Sequence, residues 1–344
     1  MKRLLNSLFV TTRGAWLSQK GENVIVHLKK GESHAFPVHI FESILCFGPV
    51  SMTPPLMGLC AKRGVSISFF TEYGKFMASV HGPVSGNVLL RKEQYRISDS
   101  VERSAAITRS ILAAKISNSR TVLQRFLRDH PQEDHIEKNF RSNIRQLEGY
   151  LVQLNDKDDT AEMRGIEGIT ARLYFDLFEN LITQQKEDFC FTERNRRPPK
   201  DRVNAMLSFV YALLANDIKS ALSGVGLDPA VGFLHSDRPG RASLALDIME
   251  EFRSWWADRL VLSLINLKQV KPSGFTVTEN GSVVLAEETR KTIIAEWHSR
   301  KQDEIIHPYT GEKMCIGHLP HIQAMLLARH IRGDMPEYIP YIWK

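Results

Sequence analysis

Cysteine is scarce in this chain of 344 residues, and the four present, Cys46, Cys60, Cys190 and Cys315, stand at no paired spacing. That pattern excludes a disulfide framework and predicts reduced thiols in an intracellular protein. Long apolar runs are missing too. No extended apolar region follows Met1-Lys2-Arg3, so no secretory signal is expected. The most apolar tract, Val203 to Ala215, is interrupted by Asn204, Ser208 and Tyr211 and is too short to span a bilayer. A soluble, cytoplasmic protein with no membrane partner is expected. The chain has no glycine-rich P-loop, so no nucleotide energy source is expected. It also has no internal repeat and no low-complexity tract.

The composition allows a folded, two-domain protein. Hydrophobic residues make up 43% of the chain, enough for a real core and against global disorder. Lys and Arg number 45 against 39 Asp and Glu, a formal charge of +6 that biases the chain mildly toward polyanionic partners. Its length exceeds the usual single domain.

Residues 1–88 read as a small β-rich domain. Strands are predicted at Leu8–Thr12, Ala15–Leu17, Val24–Leu28, Ala35–Val38, Val65–Phe70 and Phe76–Val80, with a short helix near Pro54 to Arg63 ended by Gly64. Residues 89–98 read as a linker. Helical periodicity dominates from Arg91 onward, with 99–344 the helical domain, so the fold class is α+β: a small N-terminal β-rich domain followed by a larger all-α C-terminal domain. Helices are expected from about Asp99 to His130, Ile136 to Asn155, Thr160 to Thr183, Arg202 to Leu222 (capped by Asp201), Ala242 to Ile265, Glu288 to Lys301 and His321 to Ile331. A hairpin is expected over Phe275 to Ala286, turning at Asn280-Gly281.

Three weak signals carry chemistry. Glu167 lies between Gly165 and Gly168 near a helix start, where small neighbours would let another chain or a phosphate approach. The plainer explanation is a glutamate complementing the helix dipole. His235 is delivered by a Gly/Pro loop with Arg238 and Arg241 after it. Such a histidine is more often a hydrogen-bonded loop residue than a ligand. Asp247, Glu250 and Glu251 lie at offsets of three and four on the next helix, among Leu244, Leu246, Ile248 and Phe252. A carboxylate against an apolar stripe is costly unless paired, by a divalent cation or by an arginine such as Arg253. Together, acid, imidazole and acid would make the mixed N/O coordination that suits Mn²⁺ or Mg²⁺ in phosphodiester chemistry. Cys315-Ile-Gly-His318-Leu-Pro-His321 resembles a zinc site but lacks a second ligand pair, and reads as structural. The Arg194-Asn195-Arg196-Arg197 run reads equally as a solvated face or a phosphate contact.

Four ordered segments carry a family resemblance. Gly165-Ile-Glu-Gly-Ile-Thr-Ala-Arg-Leu-Tyr-Phe175, Arg197-Pro-Pro-Lys-Asp-Arg-Val-Asn-Ala-Met-Leu-Ser-Phe209, and Leu227-Asp-Pro through His235 to Arg253 resemble the signatures of the CRISPR-associated Cas1 proteins, the integrases of spacer acquisition. Lys115-Ile-Ser-Asn-Ser-Arg120 matches a weaker fourth feature. Residues Ala328 to Asp334 look closest to the subtype I-C branch. The family often has proline soon after the double acid; here Arg253-Ser254-Trp255-Trp256 follows, which puts that helix turn in doubt.

The resemblance implies that Glu167, His235 and Glu250 ligate Mn²⁺ or Mg²⁺, with Asp247 auxiliary. Glu250 and Glu251 project about a hundred degrees apart on a helix, so only one is expected to coordinate, and the family pattern favours Glu250. Arg91, Arg120, Arg125, Lys200, Arg238 and Arg241 are candidate DNA contacts, chosen by charge and nearness to the motifs. The implied assembly is a homodimer formed largely through the β domain, two such dimers bridged by a Cas2 dimer, and bound prespacer and repeat duplex DNA. The implied reaction joins prespacer 3′-hydroxyl ends to CRISPR repeat DNA. Two alternatives stand beside it: a general metal-dependent nuclease on branched or damaged DNA, and a DNA-binding scaffold with no chemistry.

Overall fold

A computed structural model describes residues 6–28, 31–71, 76–80, 82, 88–196 and 198–344. The N-terminal part holds β1 (Asn6–Val10), β2 (Trp16–Lys20), β3 (Asn23–His27), β4 (Ser33–Pro37), β5 (Phe41–Phe47), β6 (Ser51–Met52), α1 (Pro54–Arg63), β7 (Ser66–Phe70) and β8 (Phe76–Val80). They form two four-stranded sheets, ordered β4-β3-β2-β6 and β1-β5-β7-β8. In the second, β1, β5 and β7 run parallel and β8 is antiparallel.

Strand β5 was not foreseen, and its burial explains why. Its sequence Phe-Glu-Ser-Ile-Leu-Cys-Phe lacks the apolar/polar alternation of a half-exposed strand because both faces are covered. Ile44 and Cys46 face a small core shared with Leu17, Leu56 and Ile67, whereas Leu45 and Phe47 join the large helical core. Phe47 stacks on Phe70 and meets Phe209 at ring-centroid distances of 4.8 and 5.9 Å.

The rest of the chain is mainly helical: α2 (Val88–Ser98), α3 (Val101–Asp129), α4 (Asp134–Asn155), α5 (Thr160–Phe175), α6 (Arg202–Gly224), α7 (Ser243–Met249), α8 (Arg259–Asn266), α9 (Glu287–Gln302) and α10 (Leu319–Arg332). Two small hairpins, β9 (Phe275–Val277) with β10 (Val283–Leu285) and β11 (Glu304–Ile306) with β12 (Lys313–Cys315), interrupt it. Asp201 caps α6 as expected, its side chain accepting from the Asn204 amide. Helix α6 is long and apolar enough to cross a membrane, contrary to the length expected for its apolar tract, but it is mostly buried in the core. One flank of it meets β7, where Ser68 Oγ donates to Asn216 Oδ1 at 2.6 Å and the Ser66 and Ser220 hydroxyls lie 2.8 Å apart.

Two further expectations are corrected. Residues 89–98, read as a linker, lie in helix α2; the Gln94 amide there donates to the carbonyls of Asp228 and Val231, each at 2.8 Å, pinning the loop that leads to His235. The single helix expected from Ala242 to Ile265 is broken. After α7 the backbone tightens, with Glu250, Glu251 and Phe252 amides bonding three residues back. It then opens into a π-helical turn over Arg253–Asp258 before α8. The turn that departs from the family pattern is therefore where the helix is irregular, a distortion that often accompanies functional positions.

Candidate active site

The His235 loop is built around one buried carboxylate. Asp247, fully buried, accepts hydrogen bonds from the backbone amides of Phe233 and Leu234 at 2.6 and 3.0 Å and from that of His235 at 2.9 Å. Its Oδ1 also lies 2.6 Å from His235 Nδ1. A carboxylate engaged at Nδ1 leaves Nε2 as the nitrogen turned away from it, the arrangement that orients a histidine ligand. Gly232 is required beside it, because a Cβ there would stand 2.8 Å from Asp247 Oδ2 and 2.9 Å from the Ser243 backbone.

The tightened turn sends Glu250 and Glu251 to different places. Glu251, fully buried, accepts from the Tyr338 hydroxyl at 2.6 Å, the Tyr341 amide at 2.7 Å and the Gln323 amide at 3.0 Å. It ties down the C-terminal tail. Burial raises its carboxyl to about 7 against these three donors.

Glu250 faces the opposite way. Its Oε1 accepts from Arg253 at 2.6 Å, and its Oε2 lies 2.9 Å from Lys115 Nζ on α3. Burial disfavours its charge, yet Arg253, Lys115 and His235 outweigh that and hold the carboxyl well below the usual range. Lys115 also ion-pairs with Glu167 Oε1. Glu167 lies in the middle of α5, not at its start, so the dipole explanation for it does not hold. Open space surrounds Gly165 and Gly168 at the positions a Cβ would take.

One ammonium thus stands between the two glutamates, both named as ligands from the sequence. His235, Glu250 and Arg253 line an open cavity of about 830 Å³ together with Arg194, Arg196, Arg238 and Arg241. Glu167 and Lys115 line an adjoining void of about 30 Å³, and Arg196, Tyr211 and Arg253 border both spaces. Among the described residues no three His, Cys, Asp or Glu side chains already form a metal-holding group. That holds equally for Cys315, His318 and His321. The donor set nonetheless suits a hard divalent cation. Two carboxylates converge on one cationic centre, and the buried Glu250 Oε2 faces that cation at 2.9 Å.

The other named residues are spread more widely. Arg238 is exposed and Arg241 half-buried on the cavity wall. Arg120 pairs with Glu148 at 3.1 Å, and Arg125 lies 4.1 Å over the Trp343 ring. Lys200 is exposed, and Arg91 is half-buried on α2. Arg197 lies outside the described residues. Lys115 was given no site role, and Arg194 only an even chance of a phosphate contact as part of the Arg194–Arg197 run. A lysine within the apolar stripe of α3 was the available sign for the first. For the second it was the Asn204 and Asp201 pair, which holds the arginine's segment in place.

In class, this is an α+β chain whose acids and imidazole all come from the helical part. The same fold occurs in a CAS1 protein from Thermotoga maritima, with a TM-score of 0.80 at 23% identity over 95% of this chain and 97% of that one. It occurs also in a casposase bound to integration product, with a TM-score of 0.85 at 23% identity over 98% of this chain and 94% of that one. The model of the family CRISPR associated protein Cas1 matches residues 8–299, and the chain belongs to that family. It is 49% identical to CRISPR-associated endonuclease Cas1 1 of Chlorobaculum tepidum over 344 residues, and 45% identical to CRISPR-associated endonuclease Cas1 2 of Rhodospirillum rubrum over 347 residues. Both matches cover the whole of each chain.

Proposed function

We propose that this chain, an endonuclease of the Cas1 family like its relatives, is a metal-dependent integrase. It joins prespacer 3′-hydroxyl ends to CRISPR repeat DNA by transesterification, with Cas2 as its partner. The observation that carries this reading is the meeting of Glu167 and Glu250 at one cation, beside a cavity that also holds His235 and several arginines. Fold likeness to a casposase bound to integration product and to a Cas6-RT-Cas1–Cas2 complex supports joining and the Cas2 partnership, respectively.

In this reading Glu167, His235 and Glu250 hold Mn²⁺ or Mg²⁺. Once bound, the ion stabilises charge on the phosphoryl oxygens and makes the attacking hydroxyl a better nucleophile. Asp247 grips the ring through Nδ1 and fixes the direction of Nε2. Arg253 is fixed by Glu250 and by the Tyr211 ring 4.5 Å from its guanidinium, so it presents a fixed positive charge at the mouth of the site. Arg238 and Arg241 on the cavity wall, with Arg91 and Lys200 further out, neutralise DNA phosphates. Arg120 and Arg125 join them if DNA displaces Glu148 and Trp343. The β-rich residues 1–88 act as a dimerisation domain, the remainder as the catalytic one, in the cytoplasm.

The test is joining of a duplex with free 3′-hydroxyls to a repeat-bearing plasmid in Mn²⁺, with and without Cas2. Glu167→Ala, His235→Ala and Glu250→Ala should each abolish joining while DNA binding persists. Full joining by all three variants would leave only the scaffold reading. Cleavage of any branched duplex, with no dependence on Cas2 or the repeat, would favour the general nuclease.

A further inference from the structure

We propose that Lys115 is a placeholder for the metal: its ammonium balances Glu167 and Glu250 in the metal-free protein and withdraws into the adjoining void when the cation binds. This rests on the reading of Glu167 and Glu250 as ligands. Three observations carry it. First, the same Nζ serves both carboxylates, so it occupies the ground a cation shared by them would need. Second, the other cation at the site is not free to yield. Arg253 is buried, bound to Glu250 Oε1 at 2.6 Å and packed over Tyr211, whereas lysine is a compact charge on a flexible stem.

Third, a second station exists. The void of about 30 Å³ that Lys115 lines has room for a group the size of a water or an ammonium. Ser254 Oγ borders it, buried with no hydrogen-bond partner, and so does the buried Tyr174 Oη, which faces Asp258. The Asp258 carboxylate borders it as well. An unpaired buried hydroxyl is costly, and an arriving ammonium with three donors would find acceptors in Ser254 Oγ, Tyr174 Oη and the Asp258 carboxylate. Without the ammonium, Glu167 and the buried Glu250 would face each other with Arg253 alone to offset them, which is the reason to keep a second positive charge there between reactions. The exchange also leaves the site's net positive charge unspent, because the ammonium moves instead of leaving the protein.

Calorimetric titration of the metal-free full-length protein with Mn²⁺ tests this without an activity assay. Lys115→Met should bind Mn²⁺ at least tenfold more tightly than the unmodified protein, and its metal-free form should melt several degrees lower. Tyr174→Phe combined with Ser254→Ala removes the second station and touches no ligand. It should weaken Mn²⁺ binding several-fold, and that loss should vanish when Lys115→Met is added. Unmodified protein gives an independent readout. Labelling of Lys115 by an amine-reactive ester, followed by peptide mass spectrometry, should change several-fold between metal-free and Mg²⁺-saturated protein. Unchanged or weaker Mn²⁺ binding by Lys115→Met, or constant labelling, overturns the proposal. Loss of Mn²⁺ binding in Glu167→Ala and Glu250→Ala alongside that result would leave the ligand assignment standing. Retention of Mn²⁺ binding by both glutamate variants would overturn the ligand assignment itself, and the placeholder with it.

Discussion

Asp247 holds His235 twice, through the backbone amide at 2.9 Å and through the ring Nδ1 at 2.6 Å. The same carboxylate receives the amides of Phe233 and Leu234, so loop shape and ring orientation depend on a single side chain. Asp247→Ala strands the buried amides of Phe233 and Leu234 together with the amide and ring Nδ1 of half-buried His235, and should cost about 2–4 kcal/mol of stability. Asp247→Asn places an amide NH₂ against those donors and should cost slightly less, yet still lower joining by at least about a hundredfold through the misaimed imidazole. Urea unfolding together with the joining assay checks both. Equal losses of stability and full activity in Asp247→Asn would mean that the carboxylate only braces the loop.

Glu250 and Glu251 separate along the lines that helix geometry suggested, and each variant should fail differently. Glu250→Gln should leave the fold intact and abolish joining, because it alters the carboxylate beside Lys115 and Arg253. Glu251→Ala removes the acceptor for Tyr338, Tyr341 and Gln323, and should lower stability by about 2–4 kcal/mol with the tail released. Limited proteolysis should then cut the chain after α10 in Glu251→Ala and not in Glu250→Gln. The identical pair of letters was legible as two acids projecting about a hundred degrees apart, but not what the second of them holds. Its partners include Tyr338 and Tyr341, some ninety residues later in the chain. Contacts over such separations leave no periodic trace. The packing role of α2, and strand β5 itself, were missed on similar grounds. Gln94 matters through a loop far along the sequence, and β5 is covered on both faces, so its pattern carries no alternation. Local signals did better: the Asp201 cap and the turn at Asn280-Gly281 depend only on neighbours.

Asp258 sets a pH dependence of stability. Burial pushes its carboxyl up to about 6 from an ordinary 3.8, against the Tyr211 hydroxyl, which donates to it at 2.6 Å, and the nearby Arg253 and Arg194. The folded protein therefore keeps a proton that the unfolded chain has lost between those two values. Its contribution is fully present below about pH 3.8 and disappears as pH rises through about 6. Asp258→Asn cannot titrate, so the slope it removes should reach at most about 1.4 kcal/mol per pH unit within that window. Urea midpoints of both proteins at pH 4, about 5 and 6, read as differences, check this. A constant difference across the window would show that Asp258 does not hold its proton in the folded state.

Asn204 is the residue through which the Pro-Pro segment reaches the cavity. Its Oδ1 accepts from Arg194 Nη1 at 2.5 Å and from the Asn195 amide at 3.1 Å, and its Nδ2 donates to the Glu193 carbonyl at 2.8 Å and Asp201 Oδ2 at 2.6 Å. A buried amide with every valence used is hard to replace, since Ala leaves two donors and two acceptors unmatched. Its effect should extend to Arg194, which meets only neutral acceptors through its hydrogen bonds and lines the same cavity as His235 and Glu250. Asn204→Ala should therefore cost about 2–4 kcal/mol and weaken DNA binding. Arg194→Ala should weaken DNA binding, and flatten its salt dependence by about one counterion, with far less loss of stability. Salt titrations of duplex binding on both variants separate the two effects. An unchanged salt slope in Arg194→Ala would make this guanidinium a structural tie and not a phosphate contact.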